Sequence, residues 1–302
     1  MLDKIMDFLH FAYRQKAAVY TVGVNLAKIF KDFSLRRVGA FFMALAGMFS
    51  SLIFDGAVPP TGDPLNLDGY TEVFCDEFDS DSLDLDVWAH RGVGARRCGY
   101  NAESQAYVEN GNLIIKAEYL ENGEFGEGWY TGMVKLRQQY QGGYFEIKCK
   151  CNDGGDFWSA FWIQAAHPYE ADISKGGVGG AEIDIFEAMS ANKKLPFNRN
   201  AVTSTVHCNG VDDDDDHIDS RNIGTFMGKN IYTDYNTYGV EWTDEEYIFY
   251  VNGIETGRTS FGLGTSKVPE DVIVSLEIPD EVKKDKSFST EFVVDYVKIY
   301  QK

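Results

Sequence analysis

The chain is predicted to be all-β: a two-sheet sandwich over residues 65–302, preceded by a helical and apolar N-terminal segment. Three observations predict it. Apolar residues in the body alternate with polar ones over short runs. Turns containing Gly or Asn separate those runs. No stretch of the body carries the i, i+3, i+4 stripe of a long amphipathic helix.

The N-terminal segment divides in three. Residues 1–37 read as helical, polar and basic. Val38 to Phe54 is a run of 17 residues without charge, preceded by Arg36 and Arg37. A positive flank, an apolar run and a polar exit fit either a signal peptide with a long leading region or a signal anchor. The positive flank then places residues 1–37 in the cytoplasm and the body outside, secreted or anchored. Residues 55–64, with Asp55, Gly56, Pro59, Pro60 and Gly62, read as a linker.

The body follows strand by strand. Leu113–Ala117 is a strand introduced by Asn110-Gly111. In Tyr144–Cys151, Phe145, Ile147, Cys149 and Cys151 share one face, while Tyr144, Glu146, Lys148 and Lys150 share the other. Tyr247–Val251, Asn252-Gly253 and the run from Ile254 predict a hairpin with a type I′ turn. Phe292–Tyr300 is the last strand. It places Asp295 on a face with Val293, Val297 and Ile299, where a buried carboxylate must be hydrogen-bonded, paired or on a cation.

One strand is unusual. Ala181–Ala188 reads Ala-Glu-Ile-Asp-Ile-Phe-Glu-Ala, an apolar run carrying three acids. Glu182 and Asp184 alternate with Ile183 and Ile185, so both acids share a face. Glu187 is one residue out of phase, and a bulge at Ile185 or Phe186 returns it to the acidic face. Three carboxylates in a row suit glycoside hydrolysis with retention, which needs a nucleophilic carboxylate and a protonated acid about 5–5.5 Å apart. Crowding of like charge raises at least one of their pKa values.

Composition limits the partners. The formal net charge is −19, with 28 Lys and Arg against 47 Asp and Glu. Residues 1–60 hold seven basic and four acidic side chains, so the acidity lies in the body. An acidic body excludes nucleic acid as the ordinary partner and disfavours strongly anionic polysaccharides unless local basic residues override the average. The five cysteines (Cys75, Cys98, Cys149, Cys151, Cys208) are expected as buried thiols with room for one bridge; Cys149 and Cys151 share a strand face, a poor geometry for bonding each other. The run Asp212–Asp216, ending at His217, reads as a solvated loop without the spacing of a calcium loop.

Glu182-Ile-Asp184-Ile-Phe-Glu187 resembles the bulged active-site strand of glycoside hydrolase family 16, as found in laminarinases, agarases and carrageenases. Val73–Phe78, Gly142–Ile147, Trp158–Trp162, Tyr238–Trp242 and Val294–Tyr300 resemble other segments of that family in the same order. The resemblance covers 65–302 and implies a curved β-jelly roll whose concave sheet forms a glycan cleft. It implies Glu182 as nucleophile, Glu187 as acid/base and Asp184 as the assisting carboxylate. It places Trp158 at a sugar subsite and Trp162 near the acids, where indoles stack on pyranose rings. Arg97, Asn101 and Glu103 become candidates for the subsites on the non-reducing side, and His207 is expected near the acid/base. Glu277 also alternates with apolar neighbours and is a candidate for the cleft. No cofactor is required for the reaction, while a structural calcium is implied at Asp295, with Glu77 and the carbonyl of Gly111 as co-ligands. Ser159 departs from the family, standing where a proline is frequent.

The expected function is a monomeric retaining endo-β-glycanase acting on a polysaccharide, a β-1,3- or mixed β-1,3-1,4-glucan. A cell-surface transglycosylase would use the same carboxylates. A non-catalytic glucan-binding module on the same fold would have no need for all three acids.

Overall fold

The computed structural model describes residues 59–154, 156–165, 179–189, 200–209, 218–260 and 264–302. The expected helical segment 1–37, the apolar run 38–54, the first residues of the linker and the Asp212–Asp216 run lie outside the described residues, as does the side chain of Cys208.

Two sheets, antiparallel except where Gly99–Asn101 pairs in parallel with Gly126–Thr131, pack face to face in a jelly-roll sandwich. The smaller has seven strands, in the order Ile218–Met227, Ala201–Asn209, Glu182–Glu187, Trp158–Gln164, Asp271–Glu277, Met133–Leu136 and Trp88–His90. The larger has eleven. Its centre is Asn236–Trp242, Gly143–Lys150, Ser289–Gln301 and Asn112–Gly123. The sole helical element among the described residues is a 3₁₀ turn at Glu103–Gln105.

The core lies between the sheets. Phe145, Ile147 and Cys149 point into it from the larger sheet; Phe161, Ile163, Ile183 and Phe186 meet them from the smaller. The hairpin forms as expected, with Asn252 and Gly253 both at positive φ (50° and 69°), which a type I′ turn needs. Ser159 is fully buried. Its N–H donates to Asn152 Oδ1 at 2.9 Å and its hydroxyl accepts from the Asn152 N–H at 3.0 Å. Proline could supply neither group, so the departure from the family pattern has a local reason.

One expectation is met with an addition, and two are corrected. Tyr144 does face away from the core, yet it is only 1% exposed. Leu65, Leu67 and Tyr70 pack on the patch it forms with Ile248 and Tyr250. The chain just before them is bonded to the same sheet, through Gly62 N–H to Glu255 O at 2.9 Å and Leu65 N–H to Gly253 O at 2.8 Å.

Asp295 is not buried. Val294 pairs with Cys149 and Tyr296 with Lys148, so Asp295 is the extra residue of a bulge. The bulge turns its side chain outward, where it meets Lys148 at 2.8 Å. Glu77 is exposed and pairs with Lys298 at 3.3 Å, while Gly111 sits in its turn near Asp79. The buried, unpaired acid that would call for calcium is therefore absent at Asp295, and the three proposed ligands do not fit that site.

The cysteines differ too. Cys149 and Cys151 are buried, but Cys75 and Cys98 are exposed, and all four are free.

Candidate active site

The strand Glu182–Glu187 carries the expected bulge. Against Trp158–Gln164, Trp162 pairs with Asp184 and Phe161 with Phe186, leaving Ile185 over. Against Ala201–Asn209, Asp184 pairs with Thr205 and Glu187 with Thr203, three steps against two. Glu187 thereby joins Glu182 and Asp184 on the outer face. Ile183, Ile185 and Phe186 stay in the core, Phe186 stacked on Tyr238 with ring centres 4.1 Å apart. A bulge releases ladder groups, and one of them is satisfied directly: the Ser204 hydroxyl donates to the Ile185 carbonyl at 2.8 Å. The start of the strand is held by Glu270, whose Oε1 accepts the Ala181 N–H at 2.8 Å.

Each acid has its own partner. Glu182 accepts a hydrogen bond from Gln164 Nε2, and Gln164 Oε1 accepts one from Arg91 Nη2 at 2.5 Å. Asp184 is 5% exposed, with Oδ2 2.9 Å from His207 Nε2; His207 Nδ1 lies 2.7 Å from Ser220 Oγ. Glu187 accepts from the Trp158 indole N–H at 2.9 Å.

These surroundings set the charge. Burial and the charge of Asp184 push Glu182 up to about 7, against the pull of His207, Gln164 and Arg91. Burial and Asp184 likewise push Glu187 up to about 7, against the Trp158 N–H and His207. Burial raises Asp184 as well, opposed by His207. Burial would lower His207, but its contact with Asp184 outweighs this and holds it above its ordinary value. The array therefore keeps protons into the neutral range, where a general acid is needed.

Trp162 and the Glu277 cluster wall this pocket. The Trp162 indole N–H donates to Ser275 Oγ at 3.0 Å, and the Arg91 guanidinium lies 4.7 Å from its ring centre. Arg97 lies 4.9 Å from the Trp158 ring centre. Arg96 and Arg97 both bind Glu277 Oε2, at 2.5 and 2.6 Å.

The structure thus brings Trp158, Trp162, Arg97 and Glu277 around the three acids. His207 is there too, bonded to Asp184 and paired in register with Glu182 rather than placed on Glu187. Asn101 is 2% exposed, its amide nitrogen has no hydrogen-bond partner, and it does not line this pocket. Glu103 points to solvent on the 3₁₀ turn. Gln164, Arg91, Arg96 and Ser275 were not singled out from sequence. Gln164 was within reach, being in phase with Trp158, Ala160 and Trp162.

Among the described residues, only Glu182, Asp184 and His207 gather three metal-ligating atoms, within 4.8 Å of one another. His207 Nε2 is already engaged by Asp184, so the group reads as a proton-holding array rather than a metal centre.

A jelly-roll cleft with protonatable carboxylates in a row and indoles beside them defines a glycoside hydrolase, acting on O-glycosyl bonds. The sequence model of the beta-porphyranase A-D GH16 domain matches residues 70–301. The chain belongs to glycoside hydrolase family 16.

A beta-glucanase of Rhodothermus marinus is 26% identical, covering 76% of this chain and 84% of its own length. The keratan-sulfate endo-1,4-beta-galactosidase of Sphingobacterium multivorum is also 26% identical, covering 77% of this chain and 55% of its own length. The same fold is seen in SCLam, a non-specific endo-beta-1,3(4)-glucanase, with a TM-score of 0.63 and 21% identity over 82% of this chain and 97% of SCLam. LamAcat of Zobellia galactanivorans has a TM-score of 0.60 and 19% identity over 76% of this chain and 98% of its own.

Proposed function

We propose that the protein is a retaining endo-β-glycanase that cleaves a β-1,3- or mixed β-1,3-1,4-glucan by double displacement. The observation that carries this reading is the bulged strand, which sets Glu182, Asp184 and Glu187 on one face of a cleft. The glucanases among the relatives support the substrate class.

Glu182 attacks the anomeric carbon as the glycosidic C–O bond breaks, and Glu187 gives its proton to the leaving oxygen. The product is a glycosyl ester on Glu182. Glu187, now ionised, takes a proton from water, which attacks the same carbon and releases Glu182. The Trp158 N–H steadies the ionised form of Glu187 in this second step. Asp184 lies near Glu182 with His207 on its Oδ2, and the pair sets the charge beside Glu182 while Gln164 orients it. Transfer to a sugar hydroxyl in place of water would use the same groups, and chain lengthening would reveal it.

A second reading of the substrate comes from the arginines. Arg96 and Arg97 share one carboxylate, so that cluster carries one net positive charge beside the row of acids, and Arg91 adds another over Trp162. That favours a glycan with anionic substituents, consistent with the names of the matching porphyranase model and the keratan-sulfate relative.

The test is product release by the purified protein on laminarin, lichenan, agarose, κ-carrageenan, porphyran and keratan sulfate. Oligosaccharides from laminarin or lichenan, absent with Glu182→Gln and Glu187→Gln, are the expected result. Cleavage of only a sulfated glycan selects the second reading. Wild-type turnover by either folded variant refutes the catalytic assignment.

A further inference from the structure

We propose that Glu277 is a positioning residue for Glu187, acting through Arg97 and the indole of Trp158. This rests on the reading of Glu187 as the acid/base.

Glu277 ends the strand Asp271–Glu277 and pairs in register with Trp158, so both side chains rise from neighbouring strands at the same level of the sheet. It is 5% exposed. Its Oε2 accepts from Arg96 Nε at 3.0 Å, Arg96 Nη2 at 2.5 Å and Arg97 Nη1 at 2.6 Å. Arg97 Nη1 also donates to the carbonyl of Ile278 at 3.0 Å. The Arg97 guanidinium is thereby held through one nitrogen by two acceptors, and it lies 4.9 Å from the Trp158 ring centre. The indole N–H in turn donates to Glu187 Oε1 at 2.9 Å.

Two further features mark the cluster. Arg97 has φ of 47°, in the left-handed region that a non-glycine residue holds only when its surroundings enforce it. The two-residue turn that joins the paired strands Gly94–Arg96 and Gly99–Asn101 is that enforcement, and Arg97 meets Glu277 from it. Glu277 Oε1 is buried with no hydrogen-bond partner, an unfavourable state for a carboxylate whose sole task is fold stability. Both features are consistent with a cluster kept for the geometry of its output, which is the plane of the Trp158 ring.

The ring plane matters because the N–H must lie on the line to Glu187. Without Glu277, Arg96 and Arg97 are adjacent like charges with no common anion. Repulsion then turns Arg97 toward water, and the indole loses the group above its face. Its N–H is free to rotate off Glu187, and the acid/base loses the donor that fixes its rotamer. In this way a carboxylate that makes no hydrogen bond to Glu187 governs where the proton is delivered.

The test reads the indole directly. Protein labelled with ¹⁵N in its tryptophans, of which there are five, is titrated by NMR, with Trp158→Phe to assign the Trp158 signal. Wild type is expected to show a Trp158 indole signal that moves with pH as Glu187 titrates, and Glu187→Gln removes that movement. Glu277→Gln is expected to leave the other indoles in place while the Trp158 signal shifts, exchanges faster with solvent and loses its titration. Arg97→Lys, which keeps the charge but not the planar guanidinium over the ring, is expected to fall between the two.

In turnover on the glycan that wild type cleaves, Glu277→Gln is expected to lower kcat by roughly tenfold or more with KM within about twofold, the pattern of a misplaced proton donor. A Trp158 signal in folded Glu277→Gln identical to wild type overturns the proposal. Should Glu277→Gln unfold, Arg97→Ala reports on the same link, and an unchanged Trp158 signal there overturns it equally. The NMR result does not depend on activity. Catalysis unaffected by Glu187→Gln refutes the acid/base reading, whatever the indole shows.

Discussion

Glu270 is fully buried behind the catalytic strand, and replacing it with Gln should change how stability depends on pH. Its Oε1 takes the Ala181 N–H, while Oε2 is buried without a partner. Burial is the main cause that pushes the carboxyl up to about 8, opposed by Ser266 and the Ala181 N–H. A carboxyl whose pKa is higher folded than unfolded binds more protons in the folded state. Its favourable contribution is complete below about pH 4.5 and is lost as pH rises through about 8. At about 1.4 kcal/mol per pKa unit, the full loss is about 4–5 kcal/mol, of which about 3 kcal/mol falls between pH 5 and 8.

Gln keeps the acceptor for Ala181 and has no proton to lose. The stability difference between Glu270→Gln and wild type should therefore grow by about 3 kcal/mol from pH 5 to pH 8, or about 6–12 °C in Tm for a domain of this size. Thermal or urea unfolding of both proteins at four pH values measures it. Glu182, Asp184 and Glu187 add their own pH dependence, but it is common to both proteins and cancels. A difference that stays constant across this range would refute the reasoning, since it would mean that Glu270 ionises in the folded protein no less readily than in the unfolded chain.

Other outcomes follow from the same contacts. Ser204→Ala leaves the Ile185 carbonyl of the bulge unpaired, so it should cost about 1–3 kcal/mol by urea titration and lower kcat by loosening Glu187; unchanged stability and kcat would count against the bulge being held this way. His207→Gln removes a positive charge beside Asp184 and Glu182, so both should titrate higher and the acidic limb of the kcat/KM profile should move to higher pH. An acidic limb that stays in place in that variant would remove His207 from the charge balance.

Much of the site was legible in local pattern. A strand has a period of two, so Ile183 and Ile185 alternating with Glu182 and Asp184 place the acids on one face without reference to anything distant. The phase slip at Glu187 is equally local, and the bulge that answers it lies at Ile185, one of the two positions the sequence allows. The same holds for Asn252-Gly253, where the turn chemistry selects the hairpin.

Where a second strand intervenes, the local pattern misleads. Asp295 keeps perfect alternation with Val293, Val297 and Ile299 in the sequence, but a bulge against Gly143–Lys150 makes it the odd residue and turns it to Lys148. No acid on a wrong face betrays that bulge, because apolar residues stand on both sides of the slip. Tyr144 alternates correctly outward and is covered by residues more than seventy positions earlier in the chain.

The charge state of the site is the least local quantity of all. Three acids in a row say that repulsion exists. How far it lifts Glu182 and Glu187 depends on burial and on Gln164, His207 and Trp158, which reach the acids from neighbouring strands. Arg91, Arg96 and Arg97 come from a segment about ninety residues before the acids, and nothing in their own stretch of sequence points to Gln164 as the partner of the first or Glu277 as the partner of the other two. Sequence alone determined the sheet-forming pattern, the acidic face and its bulge, because each is a matter of period within one strand. The tertiary structure decided which charges meet, which bulges turn a side chain around and which outer faces are covered, because those depend on segments that only packing brings together.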